Sequence, residues 1–159
     1  MPDAVVTMDA VDLGLNTARL THLVGYAASR ASIQLKKTFT RHLGPLQLKA
    51  VEFSALVLVA SNPRLNQKQL GAALDVSAPN LAVILDKLAE RGLVERVRST
   101  VDRRAQQLHL TPAGRELTAR AEAIAATMEN DALRMLSDAE RALLIELLLK
   151  VARGRPARR

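Results

Sequence analysis

Cysteine is absent from this 159-residue chain, which excludes disulfides, thiolate catalysis, thiol-based redox sensing and cysteine-built zinc sites. That absence suits a reducing compartment. Tryptophan is missing too, and with only two Phe and one Tyr the core must be built from Leu, Val, Ile and Ala, the palette of packed helices. Long apolar runs are also lacking: AVEFSALVLVA and ALLIELLLKVA contain Glu52 and Glu146 and fall short of a bilayer span. The opening stretch, MPDAVVTMDAVDLG, carries acids before any base and no long apolar centre, so it does not read as a signal peptide. A soluble cytoplasmic protein without a membrane partner is expected. His22, His42 and His109 show no H-x-x-x-H spacing, and no G-x-S-x-G turn is present, so neither a metal site nor a catalytic nucleophile is expected. The reading is a non-enzyme with no cofactor.

What the chain has in excess is positive charge, +7 with a pI near 10.5, which favours a polyanionic partner, either nucleic acid or an anionic membrane surface. Part of that excess is uninformative. Arg153, Arg155, Arg158 and Arg159 sit in a terminal stretch that reads as a solvated basic tail over 153–159. The functional charge must lie inside the folded region.

From about Leu15 to Leu43, the residues Leu20, Leu23, Val24, Ala27, Ala31, Leu35 and Phe39 recur at helical spacing, and Gly44-Pro45 supplies a stop. His22, Tyr26, Ser29 and Ile33 form a second row, so this long first helix is expected to have two packed faces. A second helix is expected from Gln47 to Ala60, closed by Asn62-Pro63. Two short helices follow, capped by Asn66 and Ser77, with Pro79 in the opening turn of the latter and Gly92 past its end. After Gly92 the period changes to two. LVERVRS puts Leu93, Glu95 and Val97 on one side and Val94, Arg96 and Arg98 on the other, and with QQLHLT it predicts a hairpin around the protruding loop STVDRRA. Thr111-Pro112 starts a helix expected to run to about Leu136, and Ser137-Asp138-Ala139-Glu140 is a capping box for the last one. Leu143, Leu144, Ile145, Leu147, Leu148, Leu149 and Val151 cover more than one face of that last helix, so it needs burial on several sides. A homodimer interface would provide it.

A short helix, a tight turn, a second short helix and a basic hairpin make a winged helix-turn-helix, whose second helix fits the major groove of double-stranded DNA. The hairpin region gathers Arg96, Arg98, Arg103 and Arg104 against a single acid, Asp102, and arginines there can enter the minor groove or clamp phosphates. The stretch LAERGLVERVRSTVDRRAQQLHLTPAGREL, Leu88 to Leu117, resembles the MarR-type regulators. Asp102 to Leu108 matches that family's D-x-R-x-x-x-L/V wing signature, and Leu110 to Gly114 matches its strand-to-helix junction. The likeness extends from about Leu20 to Ala152. It implies that Arg104 reaches the minor groove, that Asp102 orients it, that Arg103 contacts phosphate, and that the terminal helices assemble a dimer.

Where relatives often carry Ser or Thr followed by Arg, this chain has Ala82 and Val83. Its second short helix keeps Ser77, Asn80 and Lys87 as polar readers, with Ala78, Pro79 and Val83 suited to thymine methyls, so an A·T-rich half-site is expected. Gln67 and Gln69 are phosphate candidates on the preceding helix. The resemblance also implies a small aromatic or phenolic anion bound where the dimerisation helices meet the lobe, and release of DNA on binding. Arg19, His22, Tyr26, Ser29, Arg30, His42 and Phe53, with Glu52 nearby, are the residues of suitable chemistry for such an effector.

The fold expected is mainly α with a small two- to three-stranded antiparallel β wing. Its parts are an N-terminal arm over 1–14, dimerisation helices over 15–46 and 112–152, and a DNA-binding lobe over 47–111. The expected function is a homodimeric regulator that represses at a pseudo-palindromic operator until a small aromatic carboxylate releases it. The rival readings are a basic helical adaptor for partners or membrane surfaces without specific DNA binding, and an enzyme acting on an aromatic acid.

Overall fold

The computed structural model describes residues 15–98 and 106–154. Within them the chain forms α1 (Ala18–Thr21), α2 (Val24–Leu43), a 3-10 turn (Gly44–Leu46), α3 (Ala50–Ser61), α4 (Gln67–Leu74), α5 (Ala78–Glu90), β1 (Val94–Arg98), β2 (Gln106–Leu110), α6 (Pro112–Met128) and α7 (Asp138–Arg153). It is a mainly helical winged-helix fold, as expected from the sequence. Among the described residues no single helix is long and apolar enough to cross a membrane.

Three boundaries depart from the sequence expectation. The first helix is not continuous: Leu23 is extended (φ −90, ψ 119) and separates α1 from α2. Leu20, Leu23 and Val24 stay exposed in the chain, and a four-residue helix with no residue in the core has little stability of its own. The second helix begins at Ala50 rather than Gln47, because Gln47 adopts a left-handed conformation (φ 53) that closes the 3-10 turn. The Lys49 N–H then donates to the Glu52 carboxylate at 2.9 Å, which commits that buried acid to capping α3. The sixth helix stops at Met128 instead of near Leu136. Asn130 and Asp131 follow, residues whose side chains compete with helical hydrogen bonds, and Arg141 donates to Asn130 Oδ1 at 3.1 Å to hold the turn against α7.

The caps of α4 and α7 form as the motifs predict. Asn66 accepts from the Gln69 N–H at 2.9 Å while Gln69 Oε1 accepts from the Asn66 N–H at 3.1 Å. Ser137 and Glu140 repeat the pattern, the Ser137 N–H donating to Glu140 at 2.8 Å. That backbone hydrogen bond, with help from the Ser137 hydroxyl, holds the Glu140 carboxyl below its ordinary value. A lowered folded-state pKa means the stabilisation is present above the usual carboxylate range and is lost as pH falls through the folded value. Glu140→Gln should therefore flatten the acid limb of thermal stability; an unchanged limb in a pH series of melts would remove this role.

β1 and β2 pair antiparallel with Val94 opposite Leu110, Arg96 opposite Leu108 and Arg98 opposite Gln106. The alternation read from the sequence therefore holds, with Val94, Arg96 and Arg98 on one face. The sheet has two strands, and one isolated bridge attaches Asn66, ahead of α4, to Gln107 on β2. Leu43, Leu56, Leu70, Leu81, Leu85 and Leu88 are the largest apolar side chains sealed in the core, and Val94, Leu108 and Leu110 close it from the wing side. Helix α6 lies across α2 and α3. Helix α7 buries none of its residues in the single chain, and Ile145 and Val151 are 54% and 70% exposed.

Candidate nucleic-acid interface and effector groove

Helix α5 is built to present one face. Leu81, Leu85 and Leu88, at helical spacing, are buried against the core, and this fixes the rotation of the helix. The opposite face is then left outward: Ser77, Ala78, Pro79, Asn80, Val83 and Lys87 are all exposed, Val83 by 54%. The structure thus brings together every residue of this helix that the sequence singled out. Ser77 occupies the cap position by backbone geometry (φ −60, ψ 148) but its side chain makes no capping hydrogen bond, in contrast to the role expected for it.

The turn into α5 is short because Asp75 takes a left-handed conformation and the Val76 N–H bonds back to the Gly71 carbonyl at 3.0 Å. Beside α5 stands the wing. Arg96 on β1 reaches Asp86 on α5 at 2.8 Å and ties the two elements together. Arg98 is exposed at the far end of β1. Asp102, Arg103 and Arg104, the wing residues implied by the family resemblance, lie outside the described residues. Gln67 is half-buried, and Gln69 is exposed with its Oε1 engaged in the α4 cap, so only its amide N–H groups remain as donors.

Apart from Glu52, none of the residues expected for an effector lines either of two recesses in the single chain. Arg19 and His22 are exposed in α1 and the break after it, and Ser29 and Arg30 are exposed on α2 beside half-buried Tyr26. His42 Nδ1 bonds the Thr38 carbonyl at 2.9 Å, and Phe53 packs on Phe39 with ring centroids 5.9 Å apart.

Two recesses lie elsewhere. One of about 540 Å³ runs along α2 and is lined by Ile33, Lys36, Lys37, Thr40 and Arg41. The other, about 490 Å³, is lined by Gly44, Gln47, Leu48, Lys49, Glu52, Lys87, Glu90 and Arg91, between the end of α2 and the last turns of α5. Sequence reasoning missed Lys36, Lys37 and Arg41, although a signal was there: between Asp12 and Glu52 no acid occurs, while Arg19, Arg30, Lys36, Lys37, Arg41 and Lys49 accumulate. It also missed Arg91 and the pairing of Asp86 with Arg96, whose partners are distant in the chain.

Comparison with known proteins agrees with this geometry. The profile described as MarR family matches residues 46–105, which span α3 to the wing loop. A protein of Thauera aromatica named as a transcriptional regulatory protein for the hcr operon is 34% identical over 131 residues, covering 82% of this chain and 79% of that protein. Among solved structures, the transcriptional repressor CouR bound to a 23-mer DNA duplex superposes with a TM-score of 0.82 at 37% identity, over 87% of this chain and 98% of that one. CouR bound to p-coumaroyl-CoA superposes with a TM-score of 0.80 at 34% identity, over 89% and 99% of the two chains. Outward-facing α5, the arginine-bearing wing beside it and these similarities converge on one conclusion: the chain belongs to the MarR family of DNA-binding transcriptional regulators.

Proposed function

We propose that the chain is a homodimeric repressor whose two α5 helices enter successive major grooves of a pseudo-palindromic operator. The observation that carries this reading is the outer face of α5, from Ser77 to Lys87, exposed as a block and flanked by the wing. Half-sites one helical turn apart, about 34 Å, would then match the two lobes of a dimer. Asn80 supplies the bidentate amide suited to adenine, and Ala78, Pro79 and Val83 supply apolar contact to thymine methyls. Arg104, oriented by Asp102, enters the minor groove, with Arg98 and Arg103 on phosphates. Unpartnered apolar side chains on α1, α2 and α7 form the dimer contact, and His22, Tyr26 and Arg30 acquire their neighbours only there.

The effector is an aromatic acid carried as its CoA thioester. CouR, a repressor with a structure bound to p-coumaroyl-CoA, supports this choice over the free acid, and so does the recess on α2. Lys36, Lys37 and Arg41 line it without an acid and offer a polyanion the charge that a simple carboxylate does not need. Binding that favours a lobe spacing unlike one DNA turn weakens operator affinity by linkage.

The test is fluorescence anisotropy on the promoter fragment of the chain's own gene, with unrelated duplex and anionic liposomes as competitors. Specific, steeply salt-dependent binding is expected; liposomes competing as well as the promoter would favour the membrane-adaptor reading. Adding p-coumaroyl-CoA should release the promoter, whereas CoA and p-coumarate alone should not. Release by the free acid alone would restore the simple carboxylate, and turnover of the added ligand would restore the enzyme. Arg104→Ala should weaken promoter binding by about 1–3 kcal/mol and leave sedimentation unchanged; unaltered affinity would remove Arg104 from the minor groove.

A further inference from the structure

Helix α5 is held by two arginine ties at different points along its length. Arg96 reaches Asp86 from the wing side, and Arg91, the residue that ends α5, reaches the other way. Its Nη1 donates to the Gln47 carbonyl at 2.8 Å and its Nη2 to the Leu46 carbonyl at 3.1 Å. Those carbonyls belong to the 3-10 turn that directly follows α2, and Gln47 holds the left-handed conformation (φ 53) that few non-glycine residues adopt. A planar guanidinium can bond two carbonyls at once, which a lysine ammonium does not reproduce in the same geometry.

Apolar packing alone does not fix the angle between the two segments as a directional hydrogen bond does. Leu81, Leu85 and Leu88 share the apolar core with Leu43 and Leu48, a contact without direction, while the 490 Å³ recess opens between the last turns of α5 at Lys87 and Glu90 and Gly44 and Lys49. Across that gap, Arg91 makes the side-chain hydrogen bonds that join α5 to the end of α2 among the described residues.

We propose that Arg91 is a positioning residue that transmits the placement of α2 to α5, through the fork to Leu46 and Gln47, and so sets the angle at which α5 meets DNA. A shift of α2 pulls the carboxy-terminal end of α5 through the guanidinium. The wing follows through Asp86 and Arg96. With one N–H on each terminal nitrogen committed to a carbonyl, the role assigned to Arg91 is orientation rather than phosphate contact, a distinction the salt slope reads. The proposal rests on the reading of α5 as the groove-entering helix.

The test compares Arg91→Met, which keeps the aliphatic stem, with Arg91→Lys, which keeps the charge and loses the fork. Promoter affinity is measured across a salt series, and the intrachain distance between spin labels on α2 and α5 is measured in parallel. Since the chain has no cysteine, Gln34→Cys and Ala89→Cys, both at exposed positions, provide the labels, with the labelled chain diluted into unlabelled protein. The expected result is promoter binding about tenfold weaker for Arg91→Met, the scale of a lost charged hydrogen bond. The salt slope should stay unchanged and the α2-to-α5 distance distribution should widen; Arg91→Lys should recover part of the affinity and little of the distance order. A salt slope lower by about one would mean a direct phosphate contact and overturn the proposal. So would affinity within twofold of wild type, or a distance distribution as narrow as wild type. Asn80→Ala serves as the separate control: if it leaves promoter affinity intact, the groove reading of α5 fails, whereas the distance measurement still reports on the Arg91 tie.

Discussion

A chain ended at Leu136 should sediment as a monomer and lose promoter affinity by a factor of about 10²–10⁴, the gain expected when two weak half-site contacts are linked. The helix removed contributes nothing to the core of its own subunit. Core side chains run from Leu43 to Ala121, whereas α7 buries no residue and leaves Leu143, Ile145, Leu147, Leu149 and Val151 facing water. Each such side chain gains about 1.5–3 kcal/mol on full burial, so a handful shared across a two-fold axis outweighs the entropy of association. The truncated chain should therefore keep the far-ultraviolet spectrum of its winged lobe and lose only its partner. Sedimentation of an intact dimer would refute the assignment of α7 to the interface, and loss of the folded lobe would show that α7 serves the monomer instead.

Gly114→Ala should destabilise the lobe by about 3 kcal/mol or more, at the upper end of overpacking effects. Gly114 sits in the first turn of α6, where a β-carbon would lie 2.0 Å from the Leu93 carbonyl oxygen and 2.9 Å from its carbon. Both atoms are backbone, so no side-chain rotation relieves the contact. The crowding has a purpose: the Thr111 N–H donates to the Leu93 carbonyl at 3.1 Å and the Thr111 hydroxyl to the Gly92 carbonyl at 2.5 Å, which seats α6 on the end of α5 and the start of the wing. Forcing them apart should unseat the hairpin from the core. Urea titration measures the effect, with Gly25→Ala as the control. That glycine has nothing within 4 Å of its virtual β-carbon, so alanine there should be neutral or stabilising by up to about 1 kcal/mol. Equal stabilities for the two variants would mean that the approach of α6 to Leu93 is looser than described.

The features readable in advance are those whose chemistry closes within a few residues. Asn66 with Gln69, Ser137 with Glu140 and Thr111 with Gly114 are caps in which donor and acceptor lie three residues apart, and each forms as its motif requires. The period-two stretch after Gly92 becomes the hairpin, and in β2 the alternation places Leu108 and Leu110 in the core, whereas Leu93 just before β1 and Val94 within it are both buried and Val97 is exposed because that strand runs out beyond the core. The exposed block of α5 was legible for the same reason: Leu81, Leu85 and Leu88 define the inner face, and every candidate reader is what remains.

Other features answer to partners distant in the chain. The break at Leu23 falls where Leu20, Leu23 and Val24 stay exposed, and α6 ends at Met128 before Asn130 and Asp131, although the apolar spacing continues through both points. Phe53 faces Phe39 on another helix, because an aromatic ring takes whatever neighbour the fold supplies. The sequence by itself determined the helices and hairpin of the lobe, the caps at Asn66, Thr111 and Ser137, the buried stripe of α5 and the family. Tertiary structure alone decided that Arg91 meets two carbonyls more than forty residues away, that Arg96 neutralises Asp86, and that α6 tolerates only glycine at 114. The physical reason is range: capping and periodicity act over one or two turns, whereas a guanidinium fork or a backbone contact exists only after the core has brought remote segments together.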